Sequence, residues 1–422
     1  IIEIAPINFL LRSEQEQRNI IYSFVSYLKI SPVKIQIKVL TRKADVNRHI
    51  ENMSQEMEQE TDESCRVLQK DYIELVKKLG SREAVTRRFF ISFEYEPFNI
   101  RSASENDAIV TLNTAAVTAQ NYFRQCGNVV ISHEDEDAFQ AEVYYEIFNR
   151  RDCLKKPLSQ RITEVREKYK KEGRPLDQIP VAEFIAPEYI DFTKAQHVSI
   201  NGLYHAYLLI PSGGYKIQVM AGWTSLLVNA GEGIDVDFFL YRQPKEQIVR
   251  KLGQQLRINR SKIKEASDTN TDFDDLEGSI QSGYFLKNGL AQNQDFYYIS
   301  TLLTVTAESE EELEWRISEM KRLMISQDLD VMRCTFREEE ALLSALPLVS
   351  LSKALFQKSK RNVLTAGAAS CYPFVSYEVS DDNGILLGVN KHNHSLVITD
   401  IFNSRIYKNA NICISGCTGA GK

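Results

Sequence analysis

The last seven residues of the chain, Gly416-Cys417-Thr418-Gly419-Ala420-Gly421-Lys422, read G-x-x-x-x-G-K. No other feature constrains the fold as tightly, because this spacing works only where a buried strand turns into a helix. Triphosphate oxygens are held there by several converging backbone amides, since side chains would crowd them. Glycines permit the turn and the close approach. The following helix presents its positive end to the phosphates. A lysine ammonium reaches the β- and γ-oxygens. Ile412-Cys413-Ile414-Ser415 reads as the short buried strand that this context requires, and Gly419 adds a glycine inside the loop. The pattern therefore predicts ATP held by Gly416, Cys417, Thr418, Gly419, Ala420, Gly421 and Lys422, with Lys422 as the phosphate contact. The Ser or Thr that completes the motif, and binds Mg2+, would come next. A glycine-rich turn is the plainer alternative. With no initiator Met before Ile1 and a motif cut at Lys422, the chain reads as a piece of a longer protein.

Composition removes several other classes. At roughly 150 residues per domain, 422 residues suggest about three domains. Lys and Arg number 51 against 57 Asp and Glu, a net charge of −6. That balance argues against a dedicated nucleic-acid-binding domain, which carries a basic excess. The most apolar stretch, Val219 to Ala230, is interrupted by Thr224, Ser225 and Asn229. It falls well short of the roughly 20 apolar residues that span a bilayer, so any membrane association is expected to be peripheral. Cysteines 65, 126, 153, 334, 371, 413 and 417 are odd in number and irregularly spaced. They read as free thiols of a reducing compartment. Cys413 falls on an apolar strand and Cys417 inside the phosphate loop, and His392 with His394 has no third ligand nearby, so no metal site is expected.

Along the chain, strand and helix patterns alternate. Residues 1–11 read as a strand. Ser13-Glu14-Gln15-Glu16 is a capping box that starts a helix with Ile20, Phe24 and Leu28 inward. KIQIKVLTR, Lys34 to Arg42, alternates with period two. A long polar helix is expected from Asp45 to Leu79, its stripe of Ile50, Met53, Met57, Leu68, Tyr72, Leu75 and Leu79 facing either its own domain or a partner helix. Arg87 to Pro97 is a strand. This order predicts an α+β sandwich with helices on one sheet face. A helix over 108–124, a strand over 128–132 and a helix to about Arg150 follow. Arg150 to Arg174 carries ten Lys and Arg against four Asp and Glu. It suits a solvated linker or, as the sharper reading, an anionic partner. Further strands are expected at HAYLLIP, KIQVMAGW, Ile234 to Arg242, Tyr297 to Thr306 and Asp330 to Phe336. Ser309-Glu310-Glu311-Glu312 is a second capping box. KIQIKVLTRKAD and GIDVDFFLYRQPKE share one grammar, an alternating strand, an Arg and a helix start, which suggests two copies of one unit.

The run Gly384-Ile-Leu-Leu-Gly-Val-Asn390, then Ser395-Leu-Val-Ile-Thr-Asp400, then Asn409-Ala-Asn-Ile-Cys-Ile-Ser415 before the loop resembles the VirB-type (CagE/TrbE-like) conjugal-transfer ATPases of type IV secretion systems. YYISTLLTVTAESEEELEWRISEMKRLM, ALLSALPL and SYLKISPVKIQIKVLTRK are similar to that family's N-terminal region. The expected fold is an α+β N-terminal region of two ferredoxin-like-type units leading into the first strands of a RecA-like α/β P-loop ATPase domain. The expected divisions are a first α+β unit at 1–100, a helical segment and basic linker at 101–195, a second α+β unit at 196–350 and the start of the ATPase domain at 351–422. The resemblance implies an ATP- and Mg2+-dependent motor at the cytoplasmic face of the inner membrane. It would act as a hexamer or dimer with inner-membrane channel subunits and drive channel or pilus assembly and DNA or protein transfer. Only Gly416 to Lys422 carry over from the family's site, so these 422 residues alone are not expected to hydrolyse ATP. Two rivals share the features: a HerA/FtsK-like translocase acting on DNA, which the acidic balance disfavours, and a non-catalytic interaction module.

Overall fold

Strands form where β-branched and aromatic residues run together, and in this chain most of those runs join one sheet. The computed structural model describes residues 1–44, 47–82, 84–97, 104–216, 218–265, 271–381, 384–391, 393–404, 407–413 and 415. Two units emerge: Ile1–Thr41 with Arg87–Ser376, and Arg42–Thr86 with Tyr377–Lys422. The strands of the large sheet are β1 (Ile2–Ala5), β2 (Lys34–Lys43), β3 (Val85–Phe93), β4 (Val129–Ile131), β5 (Ile190–Asp191), β6 (Val198–Ile200), β7 (Leu203–Leu209), β8 (Ile234–Gln243), β9 (Phe296–Ala307), β10 (Met332–Arg333) and β11 (Arg361–Leu364). Their order is β4-β1-β3-β2-β8-β9-β7-β6-β5, with β10 on β7 and β11 on β9.

Two four-strand sets lie inside this order. The first reads β4-β1-β3-β2 and the second β10-β7-β9-β8, so each places its strands fourth, first, third, second. The sets meet where β2 and β8 pair antiparallel, with Ile37 opposite Phe238 and Val39 opposite Val236. KIQIKVLTR and GIDVDFFLYR are thus the second strands of two like sets. Each set also inserts a pair of helices between its second and third strands: Asn47–Gln59 with Glu63–Arg82, and Lys245–Glu265 with Thr271–Ala291.

The architecture is mixed α and β around an antiparallel sheet, but helices cover both faces rather than one. On one face, helices Glu14–Ile30, Glu105–Gln125, Glu310–Ser326 and Thr365–Ser370 bury Phe24, Phe123, Ile317 and Ala368 against Ile37, Phe89, Phe238 and Leu303. On the other, helix Glu136–Phe148 sets Phe139 and Val143 on Leu40 and Phe90. Helices Glu338–Ala345 and Lys353–Ser359 set Leu342, Ala345 and Leu355 on Tyr207, Phe239 and Leu302. The physical reason lies in the strands. RRFFISF and DFFLY are apolar at successive positions, so both faces need cover.

Several local expectations give way. The long helix from 45 to 79 is two helices, because the Asp62 carboxylate accepts from Ser64 N at 2.7 Å and caps a new start. The described residues of KIQVMAGW, Lys216 and 218–223, form bends and turns rather than a strand, and a short helix, Ser225–Val228, follows. Asp330 to Phe336 keeps only β10. Both capping boxes do start helices. Ser13 Oγ accepts from Glu16 N, while the Glu16 carboxylate accepts from Ser13 N at 2.9 Å. Ser309 Oγ accepts from Glu312 N at 3.2 Å.

The smaller unit holds the first helix pair and a three-stranded sheet, β12 (Val379–Ser380), β13 (Ile385–Val389) and β14 (Leu396–Thr399), in the order β12-β14-β13. Its core is Val76, Ala84, Leu386, Leu396 and Ile398. Among the described residues, no helix is long and apolar enough to cross a membrane.

Candidate functional site

The seven phosphate-loop residues, Gly416, Cys417, Thr418, Gly419, Ala420, Gly421 and Lys422, lie outside the described residues, as does Ile414. Of the strand expected just before them, Ile412 and Cys413 are exposed and irregular. Ile412 is 63% exposed. So short an extended segment is held only by neighbours that pair with it, and residues 408–413 are all uncovered. The Asn409 carboxamide closes a local turn there by accepting from Asn411 N at 3.1 Å.

The strands that lead towards the loop are anchored. Tyr72, on helix Glu63–Arg82, accepts from Leu386 N at 2.9 Å through its hydroxyl and donates to Gly384 O at 3.4 Å. His49 Nε2 lies 2.8 Å from the same hydroxyl. Gly384 has φ +134°, and a Cβ there would sit 2.4 Å from the Thr399 carbonyl, so the turn into β13 needs glycine. Asp381 accepts from Asp400 N at 2.7 Å and from the Tyr407 hydroxyl at 3.1 Å, closing the far end. One face of this sheet packs on the helices through Leu386 and Ile398. Along β13 the alternate residues, Ile385 and Leu387, are 59% and 69% exposed. Residues 384–390 and 395–400 are therefore an ordered sheet on which, among the described residues, Ile385 and Leu387 stay exposed.

A second constellation, not anticipated from sequence, sits where β2 meets β8. Lys38 Nζ lies 2.9 Å from the Asp237 carboxylate and donates to Ala345 O at 2.9 Å. Gln36 Nε2 donates to Asp237 at 2.8 Å and to Leu346 O at 3.0 Å, and its Oε1 accepts from Val349 N at 2.7 Å. Val349 holds φ +59°, a costly conformation for a β-branched residue. Two residues along β8, Asp235 accepts from Thr41 N at 2.8 Å and pairs with Arg150. His205 is buried near Arg150. Burial pushes Asp237 up to about 6, against the pull of Lys38, and pushes His205 down to about 3, with Arg150 adding to the shift. These groups are sealed in the protein, so they fix the register between the two sets rather than meet a solute. In sequence, Asp235 and Asp237 alternate onto the same strand face as Phe239 and Tyr241.

The second helix pair opens a cleft of about 640 Å³. Its apolar lining includes Leu252, Leu256 and Phe296, and its polar lining includes Gln255, Asn259 and Ser282 with the charged Lys251, Asp274 and Asp275. Among the described residues, no cluster of His, Cys, Asp and Glu could hold a metal ion. Among the described residues, cysteines 65, 126, 153, 334, 371 and 413 form no disulfide.

Residues 1–118 match the family model of the archaeal TraC-like domain. No curated protein matches the chain. The TraC-like segment runs from β1 through most of helix Glu105–Gln125. It thus covers the first four-strand set short of β4, together with the first helix pair. It contains Lys38 and Gln36, half of the polar seam, and Tyr72, the anchor of β13. The basic stretch Arg150 to Arg174 lies beyond it and is helical over Leu158–Lys171, with Val165 and Tyr169 buried and Lys168, Lys170 and Lys171 exposed.

Proposed function

We propose that this chain is the N-terminal docking region of a conjugation-type secretion ATPase, continued into the first strands of its motor. The observation that carries the reading is one chain holding both a TraC-like segment at residues 1–118 and the G-x-x-x-x-G-K loop at Gly416 to Lys422. Each four-strand set is read as a ferredoxin-like unit with a helix pair inserted. The exposed apolar residues of β13, Ile385 and Leu387, support a further layer of a RecA-like domain packing there. ATP and Mg2+ are assigned to Gly416–Lys422 by spacing, with Lys422 on the β- and γ-phosphates. Bound Mg·ATP supplies the phosphoryl group whose transfer to water drives the motor. The reading places the protein as an oligomer at the inner face of the plasma membrane, beside membrane subunits of a channel.

The test uses the complete reading frame that contains these residues. Mg2+-dependent ATP turnover is expected, falling on the order of a hundredfold in Lys422→Ala. Turnover that is unchanged by Lys422→Ala, or undetectable with and without membrane partners, overturns the reading.

A further inference from the structure

We propose that the two inserted helix pairs are the two halves of a head-to-tail contact between copies of this chain. Their leading helices carry opposite charge. Helix Asn47–Gln59 holds three carboxylates, Glu51, Glu56 and Glu58, against one arginine, and Glu60, Asp62 and Glu63 follow it. Helix Lys245–Glu265 holds seven Lys and Arg against two glutamates. The charges are also placed alike. Glu51 and Glu58 are seven residues apart and exposed, and so are Arg250 and Arg257. Seven residues are two helical turns, about 10 Å on one face. The two stripes are therefore opposite in sign and equal in spacing.

Among the described residues, none of these four side chains meets another side chain. Glu51, Glu58 and Arg250 have no hydrogen bond or ion pair among the described residues, and Arg257 Nε donates only to Gly253 O, 3.3 Å away on its own helix. Gly253 has open space above it, so the basic stripe is flat between its two arginines. Each partner helix adds the apolar surface that an interface core needs. Leu68 on the first pair and Phe285 on the second are each 68% exposed. A contact between unlike patches is heterologous: every copy offers one acidic and one basic helix pair, and repetition gives a ring or a filament. The inference gives a surface to the oligomer proposed above but does not depend on nucleotide at Lys422, so failure here leaves the ATPase reading standing.

Sedimentation velocity of the 422-residue chain over a dilution series reads the contact. Self-association is expected, weakening with added salt. Arg250→Glu/Arg257→Glu makes both helix pairs acidic, and Glu51→Arg/Glu58→Arg makes both basic. Each is expected to weaken association about tenfold or more. An equimolar mixture should restore it, because every contact is again between opposite charges. A wild-type chain that is monomeric at every concentration overturns the proposal, as does association that both reversals leave intact, or a mixture of folded variants that stays apart. If a reversal fails to fold, Arg250→Gln/Arg257→Gln and Glu51→Gln/Glu58→Gln test the same contact, and no weakening in either overturns it.

Discussion

The two inserted helix pairs leave their sheets at the same point in the strand order, yet they do different things. The first, 47–82, turns Val76, Ile73 and Tyr72 inward and builds a core with β13 and β14. The second, 245–291, meets its sheet at its root, where Ile248 and Leu290 pack on Phe296 and Leu364. There Gly289 approaches so closely that a Cβ would sit 2.1 Å from Leu364 Cδ1. Beyond the root, Gln255, Asn259 and Ser282 line an open cleft. Topology offers both pairs the same position, but side-chain polarity decides which becomes part of a core. Helix pairs that look equivalent in strand order can therefore serve as scaffold in one place and surface in another.

The comparison assumes that the two sets hold one register, and the severest way to break it is at the seam. Lys38→Met leaves Asp237 buried without its cation, which costs about 3–5 kcal/mol. Lys38→Met combined with Asp237→Leu removes both charges and should cost less than Lys38→Met alone. Thermal or denaturant unfolding of the variants checks this. A double variant at least as unstable as the single one would mean that the pair stabilises the fold in its own right.

Next in size is a pair of core truncations. Val76→Ala should cost about 3 kcal/mol, because Val76 is fully buried between the first helix pair and β13–β14. Hydrogen exchange should show the loss in β13 and β14 while β8 and β9 keep their protection. Leu256→Ala, at the edge of the open cleft, should cost nearer 2 kcal/mol. It should leave β13 and β14 unchanged. Equal effects on both regions would remove the contrast between a scaffold and a surface.

Acid titrates the seam in two opposing directions. His205 is held near 3 when folded, against about 6.5 unfolded. Its neutral form thus contributes stability above about 6.5 that is lost as pH falls towards 3. Asp237 titrates near 6 rather than its ordinary 3.8. Its contribution is full below about 4 and is lost as pH rises through 6. Between pH 6 and 4 the two oppose each other, so wild-type stability should be nearly flat in respect of the seam. His205→Leu removes one of them. Relative to wild type, the variant should gain about 2 kcal/mol on going from pH 7 to pH 5. Chemical denaturation at both pH values gives the difference, and an unchanged gap would place His205 outside the linkage.

What could be read in advance follows the range of the forces involved. Caps are local, so Ser13 and Ser309 mark their helices from four residues of sequence. Strands with a dominant apolar period, β2, β8 and β9, are equally plain. The pairing of β2 with β8 joins residues about two hundred positions apart, and only the shared strand-to-helix grammar hinted at it. Two-sided cover was visible in FFLY and FFIS, but runs apolar on both faces read just as easily as one-sided strands. The break at Asp62 was hidden because the Met53, Met57, Leu68 and Tyr72 stripe carries straight across it. The seam was hidden because Lys38 and Asp237 look like the solvent face of their strands until helix Glu338–Ala345 is laid over them. The phosphate loop is the reverse case, legible from seven residues and outside the described structure.

The smallest effect sharpens the comparison most directly. Tyr72 touches β13 through one hydroxyl, which serves Leu386 N and Gly384 O and meets His49. Tyr72→Phe keeps the ring and removes only those bonds, so Leu386 N loses its acceptor. The cost should be about 1 kcal/mol, confined to faster amide exchange at Leu386 and its neighbours. The matching change in the second pair, Ser282→Ala, faces the cleft, where water replaces whatever the hydroxyl gives up, and should lie within about 0.5 kcal/mol of wild type. If Ser282→Ala proved the costlier, the cleft would be an interior surface in solution, and the second pair would have to be covered as the first one is.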